Sequence, residues 1–441
     1  MVKNKVIRPQ KLAGFRDFFT QDLQLREYVI NTFKKVFEKY GYEPLETPAL
    51  EPTEIFINEL GDEAKKLFYK FKDRGGRDIM LKYEVMVSMC RAVAENINTL
   101  TFPYKRYQIQ RVWRAEKPQK GRFREFTQCD ADTIGSNSII CDAEFIQMGI
   151  EALKKLGFKK FRANISNRKF LNGIIKFAGA DDKDFIPICI SIDKLPKIEK
   201  ERVKKELLEK RKISTDVANK ILEIVTQTGK TNDLIAKFKS QLKQIPIALE
   251  GLNELEQIFD YLKICAIDKQ YYQFAPSIAR GLAYYTGPIW EFEIIESNVG
   301  SVAGCGRYDE TIGRFVGKKV SATGGSFGIE RIIEVIRDKK MFKSSATLTK
   351  VLVTVFSKEY LIQSIKAANL IRQSGINCEL YPNPEKKLDK QIKYADRKNI
   401  PYVVIIGPDE VKANKVTLKN MKIGRQEAIS KDLLIQKLKN K

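Results

Sequence analysis

Arginine side chains crowd one short stretch of this chain, from Arg106 to Asp132. The pattern predicts an apolar strand that enters a polar loop and returns through a second strand. Planar guanidinium groups bind oxyanions through paired hydrogen bonds, and aromatic residues are spaced between the charges. The stretch therefore indicates a phosphate-binding hairpin, with an ordinary charged hairpin as the alternative. The cations of the loop and its edge are Arg111, Arg114, Lys117, Lys120, Arg122 and Arg124.

Histidine is absent from all 441 residues. A catalytic imidazole, a Ser-His-Asp triad and histidine metal ligands are therefore excluded. The chemistry that remains is positioning of reactants, charge stabilisation by Arg and Lys, carboxylates and bound magnesium.

Charge is the strongest global signal, because Lys and Arg total 79 against 55 acidic residues, a formal net charge of +24. Such an excess attracts polyanions. Its spread over the whole chain favours structured RNA over a small phosphate, although a lysine-rich composition alone could produce it. The seven cysteines include no CxxC pair, which indicates a reducing compartment and argues against disulfides and zinc. With no long apolar run and no secretory signal, we expect a cytoplasmic protein that does not span a membrane.

Hydrophobic periodicity predicts the elements that carry these residues. A helix is expected over 21–40, with Gly41 as its stop, and two further helices over 82–98 and 142–156. The extended piece from Tyr42 to Leu50 contains two prolines, which favours an edge strand.

Composition also divides the chain. Residues 194–243 are rich in Lys and Glu and poor in aromatics, which is typical of a helical insertion. Beyond a polar linker, residues 351–406 alternate as β-α-β-α-β, which predicts a separate basic α/β domain. The expected domains are a catalytic core over 1–165 and 256–338, a mostly helical insertion over 166–255, a linker over 339–350 and a C-terminal domain over 351–441.

Neither a GxGxxG nor a GxxxxGK[ST] phosphate loop is present, so phosphate binding falls to arginine side chains on strands. Three segments resemble the motifs of class II aminoacyl-tRNA synthetases. The helix and strand that end at Pro48 resemble motif 1, Trp113–Glu116 with the loop to Phe126 resembles motif 2, and Gly324–Arg331 is similar to motif 3.

Within that class the chain resembles histidyl-tRNA synthetases over nearly its whole length. The segments Arg280–Gly287 and Gly306–Asp309 match the two histidine signatures of that family. The resemblance implies an α+β fold, with an antiparallel sheet flanked by helices, a helical insertion and a C-terminal α/β anticodon-binding domain. It also implies ATP-dependent activation of L-histidine to histidyl-adenylate and transfer to tRNA(His), in a cytoplasmic homodimer that uses Mg²⁺ carried with ATP.

The resemblance assigns roles residue by residue. Arg114 would bind the ATP α-phosphate, and Arg280 would sit between the substrate carboxylate and that phosphate, in place of a metal ion. Arg331 would stack on adenine opposite Phe126, a favourable contact of roughly 0.5–2 kcal/mol. The implied ATP-binding residues are Arg114, Glu116, Arg122, Phe126 and Arg331.

The implied histidine pocket must read an imidazole, which has one donor and one acceptor when neutral. Carboxylates suit the ammonium group and a ring N–H, and a tyrosine hydroxyl can serve either nitrogen. Gln119, in the motif 2 loop, matches the position that approaches the extra 5′ guanine of the tRNA. The implied histidine-binding residues are Glu84, Met86, Gln128, Asp132, Arg280, Tyr284 and Tyr285.

Four positions depart from the family pattern. Ala283 replaces an Asp, Cys305 a Gly, and Thr127 a His or Tyr. Met86 stands where a Thr hydroxyl is expected near the substrate amino group. Because the charge of Glu84 remains, we expect weaker histidine binding rather than inactivity.

Two alternatives remain open. One is a non-catalytic paralogue, such as a regulatory subunit of histidine biosynthesis or a tRNA-sensing module. Such proteins typically lack the Arg280 signature, the motif arginines or the C-terminal domain, all of which this chain keeps. The other is a class II synthetase for proline or threonine, against which the two-tyrosine signature argues. The lack of zinc-ligand spacing argues further against the threonyl enzyme. The missing histidine is either an adaptation to histidine shortage or compositional drift.

Overall fold

A computed structural model describes residues 8–57, 65–119, 121–196, 198–281 and 284–439. Two residues discussed above, Lys120 and Ala283, lie outside these ranges. The chain divides into two compact units. Arg26–Met341, with the residues up to Arg16, forms the first unit, and the chain from Phe342 onward, with Asp17–Leu25, forms the second. Within the described ranges, no helix is long and apolar enough to cross a membrane.

Eleven strands precede residue 329 in the part of the chain that the structure describes. They are β1 Glu43–Pro44, β2 Leu50–Pro52, β3 Lys70–Lys72, β4 Asp78–Leu81, β5 Tyr104–Trp113, β6 Glu125–Ile134, β7 Phe161–Asn167, β8 Tyr272–Phe274, β9 Pro288–Ile294, β10 Ser301–Arg307 and β11 Ala322–Gly328. The helices of the same stretch and its end are α1 Thr20–Lys39, α2 Glu54–Ile57, α3 Val85–Glu95, α4 Ile139–Lys155, α5 Arg168–Ala178, α6 Phe185–Ile192, α7 Lys200–Glu209, α8 Thr215–Val225, α9 Thr231–Gln241, α10 Pro246–Ile264, α11 Gly313–Val316 and α12 Ile329–Asp338.

Eight of these strands form one sheet in the order β1-β5-β6-β11-β10-β9-β7-β8. The interior pairs are antiparallel, as predicted, whereas each edge strand pairs in parallel, β1 with β5 and β8 with β7. The proline-bearing segment forms edge strand β1, in which Pro44 lies opposite Tyr107. This edge position agrees with the prediction, because proline has no backbone N–H to donate to a neighbouring strand. A smaller sheet has the order β2-β4-β3.

Helix α1 covers one face of the large sheet. Its apolar stripe includes Val29, Phe33 and Phe37, which are buried, and the Phe33 ring lies 4.6 Å from that of Phe327 on β11. The predicted bounds of 21–40 are confirmed to within one residue, and Gly41 follows with a φ of +79°. The strand that carries motif 3 is thereby held from behind by the motif 1 helix.

Helix α4 begins three residues before its predicted start. The Ser138 hydroxyl accepts a hydrogen bond from the backbone N–H of Ile140 and caps the helix there. Asp142 consequently lies inside the first turn, where it is buried.

The predicted helical insertion is confirmed as a run of helices, α5 to α10, between β7 and β8. Gly173 of α5 meets Ala248 of α10 so closely that a Cβ at position 173 would lie 2.3 Å from the Ala248 Cβ. Helix α10 continues through residue 255, where the insertion was expected to end.

The second unit contains the predicted β-α-β-α-β pattern. Its sheet has the order β13-β12-β14-β15-β16, in which the first three strands are parallel and the last two add antiparallel pairs. These two strands and the final helix were not predicted. The elements are β12 Val351–Val353, α13 Leu361–Gln373, β13 Cys378–Leu380, α14 Leu388–Arg397, β14 Tyr402–Ile405, α15 Pro408–Lys412, β15 Val416–Asn420, β16 Gln426–Ile429 and α16 Lys431–Lys439.

Candidate active site

A cleft of about 560 Å³ opens on the large sheet of the first unit. One row of residues crosses its floor. Asp130 on β6 lies opposite Ser326 on β11, Ser326 opposite Gly304 on β10, and Gly304 opposite Glu291 on β9. Because side chains alternate along a strand, Gln128, Asp130 and Asp132 all point to the same face. Four strands that are distant in sequence thus contribute to one surface.

The predicted ATP-binding and histidine-binding residues all line this cleft. Gln119 does not, because it is exposed in the turn of the motif 2 hairpin, where its backbone exchanges two hydrogen bonds with Arg122. The residues of the cleft that the sequence singled out are Glu84, Met86, Arg114, Glu116, Arg122, Phe126, Gln128, Asp132, Arg280, Tyr284, Tyr285 and Arg331.

Arg114 follows β5 and is held in place on several sides. Its Nε donates to the Tyr83 carbonyl at 3.1 Å, and its Nη2 lies 4.0 Å from Glu84 Oε2. The guanidinium carbon lies 4.3 Å from the Tyr83 ring centre and 5.1 Å from that of Phe126. An arginine fixed in this way loses little side-chain entropy when it binds a ligand.

Arg280 stands in a left-handed backbone conformation, with a φ of +52°. Arg168 supports this turn, since its Nη1 donates to the carbonyls of Ala279 at 3.0 Å and Arg280 at 3.3 Å. The Arg280 guanidinium donates to Glu291. Burial opposes the charge, but Tyr285 and Glu291 raise the pKa of Arg280 above its usual value, so Arg280 stays a cation.

Arg331, in the first turn of α12, faces the same space. Its Nη1 donates to the Ser301 carbonyl. Burial lowers the pKa of Arg331, and the nearby positive charges of Arg122 and Arg280 lower it further. Cations that disfavour one another in a half-buried cleft are stabilised when an anion binds between them.

Two polar residues of β6 that line the cleft are fixed by their contacts. Asp132 is buried, forms an ion pair with Arg106 and accepts a hydrogen bond from the Tyr308 hydroxyl. The Gln128 Oε1 accepts from the backbone N–H of Val85 at 3.0 Å. That bond ties β6 to the start of α3, just after Glu84.

The two signature tyrosines pack against each other in this cleft, with their ring planes tilted by 53°. The ring centres of Tyr284 and Tyr285 lie 4.5 Å apart, and Tyr284 meets Tyr308 edge-on at 6.1 Å. A Cβ at Gly306 would lie 2.7 Å from Tyr285 Cδ1, so a glycine is required there.

Sequence reasoning missed Asp130 and Glu291. Asp130 lies between Gln128 and Asp132 on the cleft face of β6, and the alternation of that strand would have indicated it. Burial raises its pKa to about 8, against a lowering effect of Arg106. Glu291 gave no local signal, because it became relevant only through its contact with Arg280.

Three of the departures from the family pattern are accommodated. The Thr127 hydroxyl accepts from Arg26 Nη2 at 2.8 Å, and Met86 packs with its Sδ 3.6 Å from Cys90 Sγ. Cys305 is buried opposite Gly325, where a Cβ would lie 2.4 Å from the Cys305 Sγ.

Arg307, a member of the second signature, serves the fold. It donates to the carbonyls of Ser136 and Ser138 and to the Asp142 carboxylate, which joins β10 to the start of α4.

Comparison with known proteins gives consistent results. A family model described as histidyl-tRNA synthetase matches residues 14–332, and one described as anticodon binding domain matches residues 350–441. The histidine–tRNA ligase of Cytophaga hutchinsonii is 37% identical over 98% of this chain and 99% of its own length. That of Wolinella succinogenes is 38% identical, with 97% of each chain covered.

Solved structures are similar too. The crystal structure of histidyl-tRNA synthetase from Nostoc sp. PCC 7120 matches with a TM-score of 0.85 and 30% identity, over 99% of this chain and 100% of that chain. An ATP phosphoribosyltransferase regulatory subunit/histidyl-tRNA synthetase from Bacillus halodurans C shares the fold, with a TM-score of 0.75 and 20% identity over 88% of this chain and 97% of that chain.

Proposed function

Because this chain belongs to the histidyl-tRNA synthetase family, we propose that it activates L-histidine with ATP and transfers it to the 3′ end of tRNA(His). The first step forms histidyl-adenylate and releases pyrophosphate, and the second releases AMP. One observation carries the proposal, namely that a single cleft is lined by Arg114, Arg122, Arg280 and Arg331 together with carboxylates and tyrosines. A nucleoside triphosphate suits the arginines, and an amino acid with a polar side chain suits the carboxylates and tyrosines.

The proposed chemistry needs no general base. The histidine carboxylate is already ionised when it attacks the α-phosphorus, and pyrophosphate leaves in line. The protein must hold the two anions together and neutralise the charge that develops on the phosphoryl oxygens. Arg280 and Arg114 have these roles, and Glu291 keeps the Arg280 guanidinium oriented.

ATP would lie along the arginine-rich end of the cleft. Phe126 and Arg331 enclose the adenine ring, and Glu116 and Arg122 complete the binding set. The guanidinium of Arg122 lies 4.0 Å from Glu116, so this pair can open to receive a phosphate without leaving a buried charge.

L-Histidine would occupy the other end. Glu84 takes the ammonium group, and Gln128 orients the loop on which Glu84 lies. Asp132, Tyr284 and Tyr285 read the imidazole nitrogens, while Met86 provides an apolar wall. A pocket that hydrogen-bonds a polar side chain rejects analogues without it strongly, by about 10⁴-fold or more.

The remaining assignments follow from the family. Mg²⁺ would enter on the ATP phosphates. Within the described ranges, no cluster of three or more His, Cys, Asp or Glu side chains could hold a metal ion. We propose a cytoplasmic homodimer, with Gln119 near the tRNA acceptor end and the domain boundaries expected above. The domain over 351–441 would bind the anticodon.

ATP–pyrophosphate exchange with each of the twenty amino acids tests the function. We expect exchange with histidine alone. Stimulation by another amino acid would overturn the specificity, and no exchange at all would favour the regulatory alternative.

The catalytic assignment has its own test in the same assay. Arg280→Ala should abolish exchange and leave the fold intact by circular dichroism. Arg168→Lys, which changes the support of the turn and keeps Arg280, should retain part of the activity. Full activity of Arg280→Ala would refute the role of Arg280.

A further inference from the structure

Asp130 is a buried carboxyl group inside the cleft that no step above uses. It is only 4% exposed, and its Oδ1 has no hydrogen-bond partner among the described residues. A carboxylate buried in this way is costly unless a cation or several donors meet it.

The charges around Asp130 leave it without a cation of its own. From β5, the positive charge of Arg106 acts on Asp130, but the ion pair of Arg106 is with Asp132. From β6 and from the loop before α3, Asp132 and Glu84 add negative charge. The Ser326 hydroxyl on β11 is its hydrogen-bonding neighbour, and Cys305 on β10 is buried and neutral.

The position of Asp130 indicates which group is missing. It lies on the same strand face as Gln128 and Asp132, between the residues assigned to the two ends of histidine, and it shares the cleft with Glu84. The other cations of the cleft are engaged elsewhere, since Arg280 contacts Glu291 and Arg114 is directed to ATP. Of the substrates, histidine brings a cation to this point, in its α-ammonium group.

Resting on the function proposed above, we propose that Asp130 is a second carboxylate for the histidine α-ammonium group, and that it ionises as the substrate binds. In the free cleft it is a carboxylic acid. When the ammonium group arrives, the Asp130 O–H bond breaks, the proton goes to solvent, and the carboxylate pairs with the ammonium.

The raised pKa of about 8 agrees with this step, because Asp130 is then mostly protonated at pH 7 in the free enzyme. An ammonium group in contact lowers the pKa again, since an opposite charge favours the ionised form. The same contact would offset the loss of the hydroxyl that Met86 replaces.

Two inhibitors of histidine-dependent exchange separate the ammonium contact from the rest of the pocket. Histidinol keeps the ammonium and imidazole groups and lacks the carboxylate. Imidazolepropionate keeps the imidazole and carboxylate and lacks the ammonium. In Asp130→Asn we expect the inhibition constant of histidinol to rise about 10- to 100-fold, from the loss of a charged hydrogen bond, and that of imidazolepropionate to stay unchanged.

Asp132→Asn is the matched control, because it changes the neighbouring carboxylate of the same strand. Its assigned contact is the imidazole, so it should weaken both inhibitors alike. Equal effects of Asp130→Asn on both inhibitors, or no effect on either, would refute the proposal.

A second test uses the unaltered enzyme and therefore does not depend on whether a variant folds. Calorimetric titration with histidinol at pH 7, in two buffers of different ionisation enthalpy, should show release of about one proton per molecule bound. No proton release would also refute the proposal. If the unaltered enzyme lacks histidine-dependent exchange, the proposed function itself fails. Failure of the inhibitor pattern in an active enzyme overturns the role of Asp130 alone.

Discussion

The guanidinium group of Arg280 lies directly against Gly304. A Cβ at position 304 would stand 2.1 Å from Arg280 Nη2 and 2.5 Å from its Cζ, closer than atoms can approach. Strand β10 therefore admits Arg280 only because residue 304 is glycine. The contact also explains how Arg280 reaches Glu291, which pairs with Gly304 across β9 and β10.

Replacing this glycine should damage catalysis without touching a substrate contact. In Gly304→Ala the methyl group displaces the Arg280 guanidinium, so we expect kcat for exchange to fall about 100-fold, as for other misplaced catalytic groups. Gly229→Ala is the control, because the nearest atom there lies 3.5 Å from the new Cβ. Normal activity of Gly304→Ala would show that Arg280 need not lie where the structure has it.

The adenine assignment predicts a selective loss of ATP affinity. Phe126→Ala and Arg331→Ala should each raise KM for ATP about 10-fold, since a stacked cation–π contact is lost, and leave KM for histidine within about twofold. Steady-state exchange at varied ATP and histidine measures both constants. Phe177→Ala, at an exposed site on α5, serves as the control. A selective rise in KM for histidine would contradict the assignment.

Restoring the missing hydroxyl should strengthen histidine binding. Met86→Thr is expected to lower KM for histidine about 3- to 10-fold, by one new hydrogen bond, while the loss of a buried side chain costs about 1–3 kcal/mol of stability. Met89→Thr removes a fully buried methionine from the same helix outside the cleft. Met89→Thr should lose stability and keep its KM for histidine. An unchanged KM for histidine in Met86→Thr would mean that the missing hydroxyl does not weaken histidine binding.

Stability should depend on the Arg307–Asp142 pair in a pH-dependent way. Burial raises the pKa of Asp142 to about 6, and Arg307 opposes that rise. Because this pKa lies above the unfolded value, Asp142 stabilises the fold most at low pH and less as pH rises through about 6. Arg307→Met leaves the carboxyl without its cation, so the pKa rises further and the same loss continues to higher pH.

Urea unfolding should therefore show a larger defect of Arg307→Met at pH 8, about 3–5 kcal/mol, than at pH 5. The double variant Arg307→Met/Asp142→Asn, which removes the buried charge, should recover part of the stability at pH 8. An equal defect at both pH values would mean that lost packing, rather than charge, is responsible.

The sequence predicted those parts of the site that depend on local spacing. Arg114 and Phe126 lie on one hairpin, and the prolines Pro44 and Pro48 predicted an edge strand. Each of these signals is contained in a short stretch of sequence. The roles of Arg114 and Phe126 in ATP binding stay predictions, whereas the structure shows that both side chains line the same cleft.

Relationships across the sheet could not be predicted. Asp130 meets Ser326 only because β11 pairs with β6, and Arg280 reaches Glu291 beside Gly304 only because β9 pairs with β10. Register between strands so distant in sequence depends on the whole hydrophobic pattern and on the connections, which one sequence does not specify locally. The structural role of Arg307 was not predicted for the same reason, since its partners Ser136, Ser138 and Asp142 lie far from it in sequence.

The place of β11 also matters while the chain is being made. It is the last strand of the large sheet to leave the ribosome, yet it lies in the middle, between β6 and β10. Until it emerges, the nascent chain holds two half-sheets with unpaired edges, and such edges invite aggregation. A chain truncated at residue 321 should accordingly bind a hydrophobic dye and fail to bind ATP, whereas ATP binding by it would disprove this view. Because residues of β11 line the cleft, neither ATP nor histidine finds a complete binding site until this strand has emerged.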